Sequence, residues 1–470
     1  PISGLPFLES LWPEVLSFPR TVAPATWTVP SHAAFFTGRY PWETGAHLRR
    51  SLKLDPSFPT LAGVLGQAGY ASFTASANGF LCPDFGLTNG FTSAAWGDWW
   101  EKWVHVPNRT LPPAGFNCGP TEDLPTGPLW KRLEAVGRIA DRSNAFLMGL
   151  NRFVNHLRNP GHPFSPYVGP WVESTLQRWL KAQRPEQPLF TFLNFYEAHE
   201  PYIVEWDQIG MKPPFFERMR LRQDRTSFFA GQWKPRPEEY DLLREMSHAL
   251  IRAVDARIKA VVDLFKEAGR WENTVLVFTS DHGQSFGEND FLFHGVRVWE
   301  SILRVPLWIR FPSGEHRGQT AQGWASLIDL FPTLLGIAGA PVPYLADAIP
   351  LLDLLDRPRP IPVLSMSDGT TSKRTLIALS TRERAEFWDK PFVAAYEGDD
   401  KVIYDVETGS YQIFNVREDP LEEHDLATQR GPELGTLVDR ARQAGAQLIG
   451  KARLELTPEL DDRLRSWGYE

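Results

Sequence analysis

Three short segments of this 470-residue chain carry residue types that can attack, bind a metal and move protons. The first covers residues 26–47, TWTVPSHAAFFTGRYPWETGAH. Pro30 suits the first turn of a helix, where its missing N–H costs nothing. The pattern predicts a helix from about Ser31 through Phe36, with Thr28 just before its N-terminus. Free backbone N–H groups and the helix dipole favour an anion there. A hydroxyl so placed can act as an alkoxide nucleophile if a cation lowers its pKa. His32 lies four residues further on and faces the same end. The same residues are compatible with Thr28 and Ser31 acting only as helix caps.

The second segment covers residues 274–295, TVLVFTSDHGQSFGENDFLFHG. An apolar strand ends and Asp281 and His282 follow at once. Open α/β sheets bind ligands beyond the carboxyl ends of their strands, and a carboxylate beside an imidazole there can bind a divalent metal. Gly283 lets the backbone turn away, and His294 follows a short glycine-containing loop. The third segment, residues 189–202 (LFTFLNFYEAHEPY), places His199 just past another strand, beside Glu197. A histidine there can give a proton to a leaving group. Each of these histidines alone reads as an ordinary structural residue. Yet four of the chain's 11 histidines, His32, His199, His282 and His294, sit at strand ends or a helix start that one sheet would bring together. A rival motif is Gly-Gln-Ser-Phe-Gly at 283–287, which fits the G-x-S-x-G elbow of a carboxylesterase with Ser285 as nucleophile. Asp281 and His282 occupy the turn where that serine belongs, and residues 288–293 do not read as a helix. There is no Walker loop, no G-x-G-x-x-G and no H-E-x-x-H.

These residues need a scaffold, and the chain supplies one. Apolar, β-branched and aromatic runs at 70–77, 189–195, 274–280, 305–311 and 361–366 read as strands covered on both faces. Between them, Leu242, Met246, Leu250, Val254, Ile258 and Val261 recur at helical spacing within residues 238–268, and Gly269 supplies a stop. Alternating strands and helices imply an α/β fold, a three-layer sandwich around a mostly parallel central sheet. After about residue 375 the pattern changes. Short strands at 391–396, 401–406 and 411–416 are split by turn residues, and a helix follows over 431–454. That predicts a small C-terminal α+β subdomain with an antiparallel sheet, residues 376–470, appended to a body of residues 1–375. Residues 96–169 and 206–237 are rich in Pro and Trp without clear period and read as insertions. The 18 Trp and 30 Phe of the chain suit either insertion packing or an apolar leaving-group pocket.

Composition excludes several classes. The chain is 42% hydrophobic and 23% charged, which suits a globular protein. With 49 basic and 57 acidic side chains its net charge is −8, which argues against a nucleic-acid partner. No apolar run reaches membrane-spanning length. Two cysteines, Cys82 and Cys118, make no disulfide framework, and such sparse use leans towards a cytoplasmic setting. A sequon at Asn108 carries no weight without evidence of secretion.

Together the segments resemble the sulfatase branch of the alkaline phosphatase superfamily. The likeness rests on Thr-Val-Pro-Ser-His at 28–32 with Thr-Gly-Arg-Tyr-Pro at 37–41, Ser-Asp-His-Gly at 280–283, ESILRVPLWIR at 300–310, FYEAHEPY at 195–202, and VREDPLEEHDL at 416–426 with the final DRLRSWGYE. It implies an ester hydrolase or transferase with a divalent metal (Mn, Zn, Ca or Mg) and a small-molecule, lipid or sugar ester as substrate. By that resemblance Thr28 sits at the nucleophile position and also ligates the metal, and Asp281 and His282 are metal ligands. His199 assists the leaving group, and His294 holds the non-bridging oxygens. His32 stands where sulfatases have an arginine.

Two departures sharpen the expectation. Sulfatases of the usual kind convert Cys or Ser at the nucleophile position to formylglycine, and Thr cannot make that aldehyde. Superfamily members with Thr there are typically phosphoesterases or phospho-group transferases, so Thr28 tilts the expected chemistry towards phosphate and phosphonate esters. The family also begins with an apolar strand ending in metal-binding aspartates, and here that strand is expected upstream of Pro1. Asp281 and His282 alone are too few ligands for a tight site. The alternative is a non-catalytic binding protein of the same fold.

Overall fold

The computed structural model describes residues 4–76, 78–96, 109–111, 169–202, 204, 209–211, 213–214, 221–369 and 380–449. Four strands position the site: β1 Ala71–Ser76, β2 Leu189–Asn194, β3 Leu276–Thr279 and β4 Leu307–Arg310. All four coincide with apolar runs in the sequence, because β-branched and aromatic side chains pack well on a pleated, covered surface.

The fold is mixed α/β. β1 lies between Ser93–Trp96 and β2, parallel to both, in register Ala71↔Leu189 through Ser76↔Asn194. β3 instead pairs antiparallel with β4, and β4 pairs antiparallel with Val15–Ser17. Among the described residues these are two separate sheets, one dominated by parallel and one by antiparallel pairs. β2 and β3 each have one hydrogen-bonded neighbour. Every residue of both strands is only half-buried, whereas β1 is buried from its second residue onward. One apolar cluster nevertheless spans both sheets. Phe192 of β2 and Val277 of β3 pack with Leu307 and Ile309 of β4 and with Val29 and Phe36. Burying a side chain of this size is worth about 1.5–3 kcal/mol.

The helix Thr28–Thr37 is buried along its whole length. It begins at Thr28 rather than near Ser31, because the extended residue that caps it is Trp27 (φ −159°, ψ 172°). Pro30 then falls third in the helix, still inside the first turn, where N–H groups have no intrahelical acceptor. Gly38 ends the helix with φ 68°. A Cβ there would lie 2.8 Å from Leu345 Cδ1, so both the left-handed backbone and the packing demand glycine. The long helix Pro237–Glu267 buries Leu242, Met246, Leu250, Ile258 and Val261, as its spacing predicts, while Val254 of the same series is half-buried. The helix Gly169–Lys181 packs Val172, Leu176 and Trp179 against Phe73 and Ala75 of β1.

A four-stranded antiparallel sheet runs in the order Val363–Ser367, Phe392–Glu397, Asp400–Asp405, Tyr411–Asn415. The run at 361–366 thus joins this sheet, with Val363 opposite Tyr396. The helix Gly435–Ile449 covers one face, setting Leu437, Ala441, Ala444 and Leu448 against Val393, Ala395 and Val402. Met366 N donates to Pro24 O at 3.1 Å, which ties this sheet to the segment leading into the Thr28 helix. The stretch 97–168 apart from 109–111, with Asn108 and Cys118, lies outside the described residues, as do parts of 206–237 and the final residues 450–470. Cys82 is buried. No described helix is long and apolar enough to cross a membrane.

Candidate active site

The sequence places Thr28 at a helix start and Asp281 at a strand end, and the fold connects the two. Ser31 Oγ, one turn into the helix, donates to the backbone oxygen of Asp281 at 2.6 Å. His32 Nδ1 bonds Thr28 O at 2.9 Å and lies 3.5 Å from Asp281 Oδ2. Thr28 is buried, 1% exposed, and its Oγ1 accepts a hydrogen bond from Asn78 Nδ2 at 3.2 Å. Asn78 follows β1. Its backbone N–H donates to Ser76 Oγ, which in turn donates to Asn194 Oδ1 at the end of β2. A polar chain from two parallel strands therefore fixes the one donor among the described residues that meets the threonine hydroxyl.

Asp281 and His282 leave β3 together. His282 Nε2 is 3.6 Å from Asp281 Oδ2, so that one carboxylate oxygen lies between the His32 and His282 imidazoles. Burial pushes the Asp281 carboxyl up, but the imidazoles of His282, His32 and His199 outweigh it and hold the group below its ordinary value. Burial draws His32 down, and Asp281 offsets part of that. Gly283 permits the turn through space rather than dihedral freedom: its N–H donates to Ile302 O at 2.6 Å, and a Cβ would lie 2.3 Å from Ser301 O.

His294 stacks on His282 with ring centroids 4.3 Å apart, and His199 meets His294 edge-on at 5.1 Å. His199 also stacks on Tyr196. Its Nδ1 bonds Glu200 O at 2.5 Å, and His294 Nδ1 bonds Gln284 Oε1 at 2.7 Å. A Nδ1–H that donates to a carbonyl puts the lone pair of a neutral imidazole on Nε2. Glu200 Oε2 stands 3.6 Å from both Nδ1 atoms. Arg225 holds this carboxylate at 3.1 Å and donates to His294 O at 2.7 Å. Burial lowers both histidines, His294 strongly because His282 and Arg225 add to it.

The six residues singled out from the sequence, Thr28, His32, His199, Asp281, His282 and His294, are thus linked in one connected cluster. Ser285 is outside it: its Oγ faces Ser301 Oγ at 2.5 Å in a short strand, Ser285–Phe286, with no imidazole as its hydrogen-bond partner among the described residues. Four further residues of the site carried no sequence signal. Asn78 and Asn194 sit at strand ends like many turn asparagines, and Arg225 lies in a stretch without period. Gln284 was hidden inside the esterase-like pattern. Glu200 adjoins His199, which was the one available hint.

A Sulfatase family model matches residues 1–340. The chain belongs to the sulfatase family. It is a sulfatase-like hydrolase of the alkaline phosphatase superfamily. It is 25% identical over 447 residues to the choline-sulfatase of Rhizobium meliloti, an alignment covering 91% of this chain and 78% of that one. It is 26% identical over 311 residues to the multifunctional alkaline phosphatase superfamily protein PehA of Trinickia caryophylli, covering 58% of each. The crystal structure of the phosphonate monoester hydrolase of Agrobacterium radiobacter superposes with a TM-score of 0.62 at 18% identity, covering 97% of this chain and 94% of that one.

The family generally uses a divalent metal, and donor atoms suited to one are present. Asp281 offers an ionised carboxylate oxygen, with His282 beside it. His199, Glu200 and His294 have ligand atoms within 4.8 Å of one another. Two imidazoles and a carboxylate form a zinc-type donor set, but in this chain Arg225 already occupies Glu200. The Asp281 side is the better fit, because no arginine or lysine competes there among the described residues.

Proposed function

We propose that this chain cleaves, or transfers the acid group of, phosphate, phosphonate or sulfate esters through Thr28 as covalent nucleophile. The observation that carries the reading is the buried Thr28 hydroxyl. It stands at a helix N-terminus and takes a hydrogen bond from Asn78, while the backbone oxygen of Thr28 bonds the His32 ring, whose Nδ1 lies 3.5 Å from the Asp281 carboxylate. Asp281, His282 and Thr28 are the proposed ligands of a divalent metal. When bound, such an ion lowers the pKa of the hydroxyl and screens the charge of the ester.

Thr28 Oγ1 attacks phosphorus or sulfur in line, its proton passing to solvent. The new bond to Oγ1 forms as the bond to the leaving oxygen breaks, and that oxygen takes a proton from the His199 imidazolium. A water or alcohol then attacks the same centre, the Oγ1 bond breaks, and Thr28 regains its proton. His199 donates from Nε2 only when doubly protonated, a state that the nearby Glu200 carboxylate favours and burial opposes. His294 and the helix N-terminus are placed to hold the non-bridging oxygens. Thr28 cannot become formylglycine, so the reading favours phosphorus esters.

The test is a panel of nitrophenyl phosphodiester, phosphonate and sulfate substrates with wild type and Thr28→Ala, with circular dichroism to check folding. Loss of turnover by at least ~10³-fold in the folded variant is expected. Full activity in Thr28→Ala would remove Thr28 as nucleophile. A wild-type rate at background on every ester would favour a binding protein.

A further inference from the structure

Arg297 is the exception among the buried cations of the described residues. Among the described residues Arg49, Arg310 and Lys401 are buried as well, and each has a carboxylate in reach. Asp389 lies 3.6 Å from Arg49, Glu14 3.3 Å from Arg310, and Glu422 2.6 Å from Lys401. Arg297 is 7% exposed; no described carboxylate lies within ion-pair distance of it, and Asp405 offsets only part of its charge from further away. Its guanidinium donates to two carbonyl oxygens, Val296 O at 2.8 Å and Phe387 O at 3.0 Å. It also lies over the rings of Phe387, Trp388 and Phe392 at 4.4–4.9 Å. Ring faces attract a cation by ~0.5–2 kcal/mol, less than the several kcal/mol that desolvating an ion costs. Burial draws the group down to about 10, so it stays cationic at neutral pH.

The same side chain lines a cavity of about 330 Å³ between residues 297–299 and the antiparallel sheet. Trp299, Phe392 and Ile403 give it apolar walls, and the exposed Gln412 also lines it. Its other charged lining residues, Lys390 and Asp405, bond each other at 3.2 Å. The lining therefore carries a net positive charge, two cations against the one carboxylate of Asp405. None of these residues belongs to the catalytic cluster. The volume is in the range of small-molecule sites, which are mostly apolar with a few placed polar groups.

We propose that this cavity binds a small amphipathic organic anion, an aryl or short-chain carboxylate, sulfonate or sulfate. Its acid group pairs with Arg297 and its apolar body lies on Trp299, Phe392 and Ile403. A planar guanidinium matches such oxyanions with two parallel hydrogen bonds, and the ion pair balances the net positive charge of the lining.

Equilibrium dialysis of the full chain with naphthalene-2-sulfonate tests this, with uncharged 2-methoxynaphthalene as comparison. One saturable site is expected, at least tenfold weaker for the neutral probe. Arg297→Met should weaken sulfonate binding at least tenfold. Gln412→Trp, which changes an exposed lining residue, should weaken it by filling part of the cavity, and it decides the matter if Arg297→Met does not fold. Thr28→Ala should bind like wild type. The proposal is overturned by absence of saturable binding, by wild-type affinity in the folded variants, or by loss of binding in Thr28→Ala, which would assign the probe to the catalytic site.

Discussion

Replacing Lys401 by methionine removes the one cation at the centre of a buried acidic cluster. Lys401 Nζ is fully enclosed and donates to Val298 O at 2.7 Å. It also pairs with Glu300 Oε1 at 3.1 Å and Glu422 Oε1 at 2.6 Å. Tyr396 donates its hydroxyl to Glu300 Oε1 at 2.6 Å, and Glu300 N donates to Glu422 Oε2 at 2.7 Å. Methionine fills much of the volume, so packing loss is small and the effect is electrostatic. Glu300 keeps Arg304 at 3.3 Å, whereas Glu422 loses its only ion-pair partner among the described residues. Breaking a buried pair from one side costs about 3–5 kcal/mol. Burial and the adjacent Glu300 already push the Glu422 carboxyl up, and removal of Lys401 pushes it further. A carboxyl raised in the folded state binds more protons there, so the variant's stability falls as pH rises through that folded pKa. Urea unfolding followed by circular dichroism at pH 8 should show a deficit of ~3–5 kcal/mol at unchanged m-value, shrinking at pH 5. The double variant Lys401→Met/Glu422→Gln should recover much of it. A pH 8 deficit under ~1 kcal/mol, or the same deficit with and without Glu422, would refute the assignment of this energy to the buried pair.

Glu200→Gln keeps the contact to Arg225 but removes the charge beside His199 and His294. Its kcat should fall about 10–100-fold more on alkyl esters, which need protonation, than on nitrophenyl esters, and equal losses would count against the positioning role. Gly283→Ala forces a Cβ to 2.3 Å from Ser301 O. We expect a cost of ~1–3 kcal/mol and roughly 10²-fold lower activity from displacement of His282, and normal activity would show that the turn relaxes freely. Burial, with Arg50 and Arg49 adding to it, depresses His47 from 6.5 to about 3. Its contribution is complete above the unfolded value and is lost as pH falls through that window. Going from pH 8 to pH 5 should cost about 2 kcal/mol through this group. His47→Gln should flatten that part of the unfolding profile, and parallel profiles for the two proteins would exclude it.

The local elements were legible in the sequence because their signals are local. Helix period in residues 237–267, the Pro30 first turn, the Gly38 stop and the apolar strand runs depend on neighbours a few positions away. The chemistry-bearing residues were legible for the same reason, since a histidine just after a strand marks itself by sequence alone. How the strands pair was not. The run at 307–310 looks like any parallel core strand, but it lies antiparallel to β3, and only long-range packing selects that partner. Likewise the run at 363–367 carries no mark that sends it to the C-terminal sheet. The site's supporting residues were illegible too. Asn78 matters because β1 and β2 end side by side, which brings it to Thr28 across 50 positions. Glu200 matters because Arg225 and two histidine rings converge on it. Sequence by itself determined which side chains could do chemistry and which family they fit. Tertiary structure decided which of them face one another, because burial, charge pairing and hydrogen-bond satisfaction are settled only when distant segments share one interior.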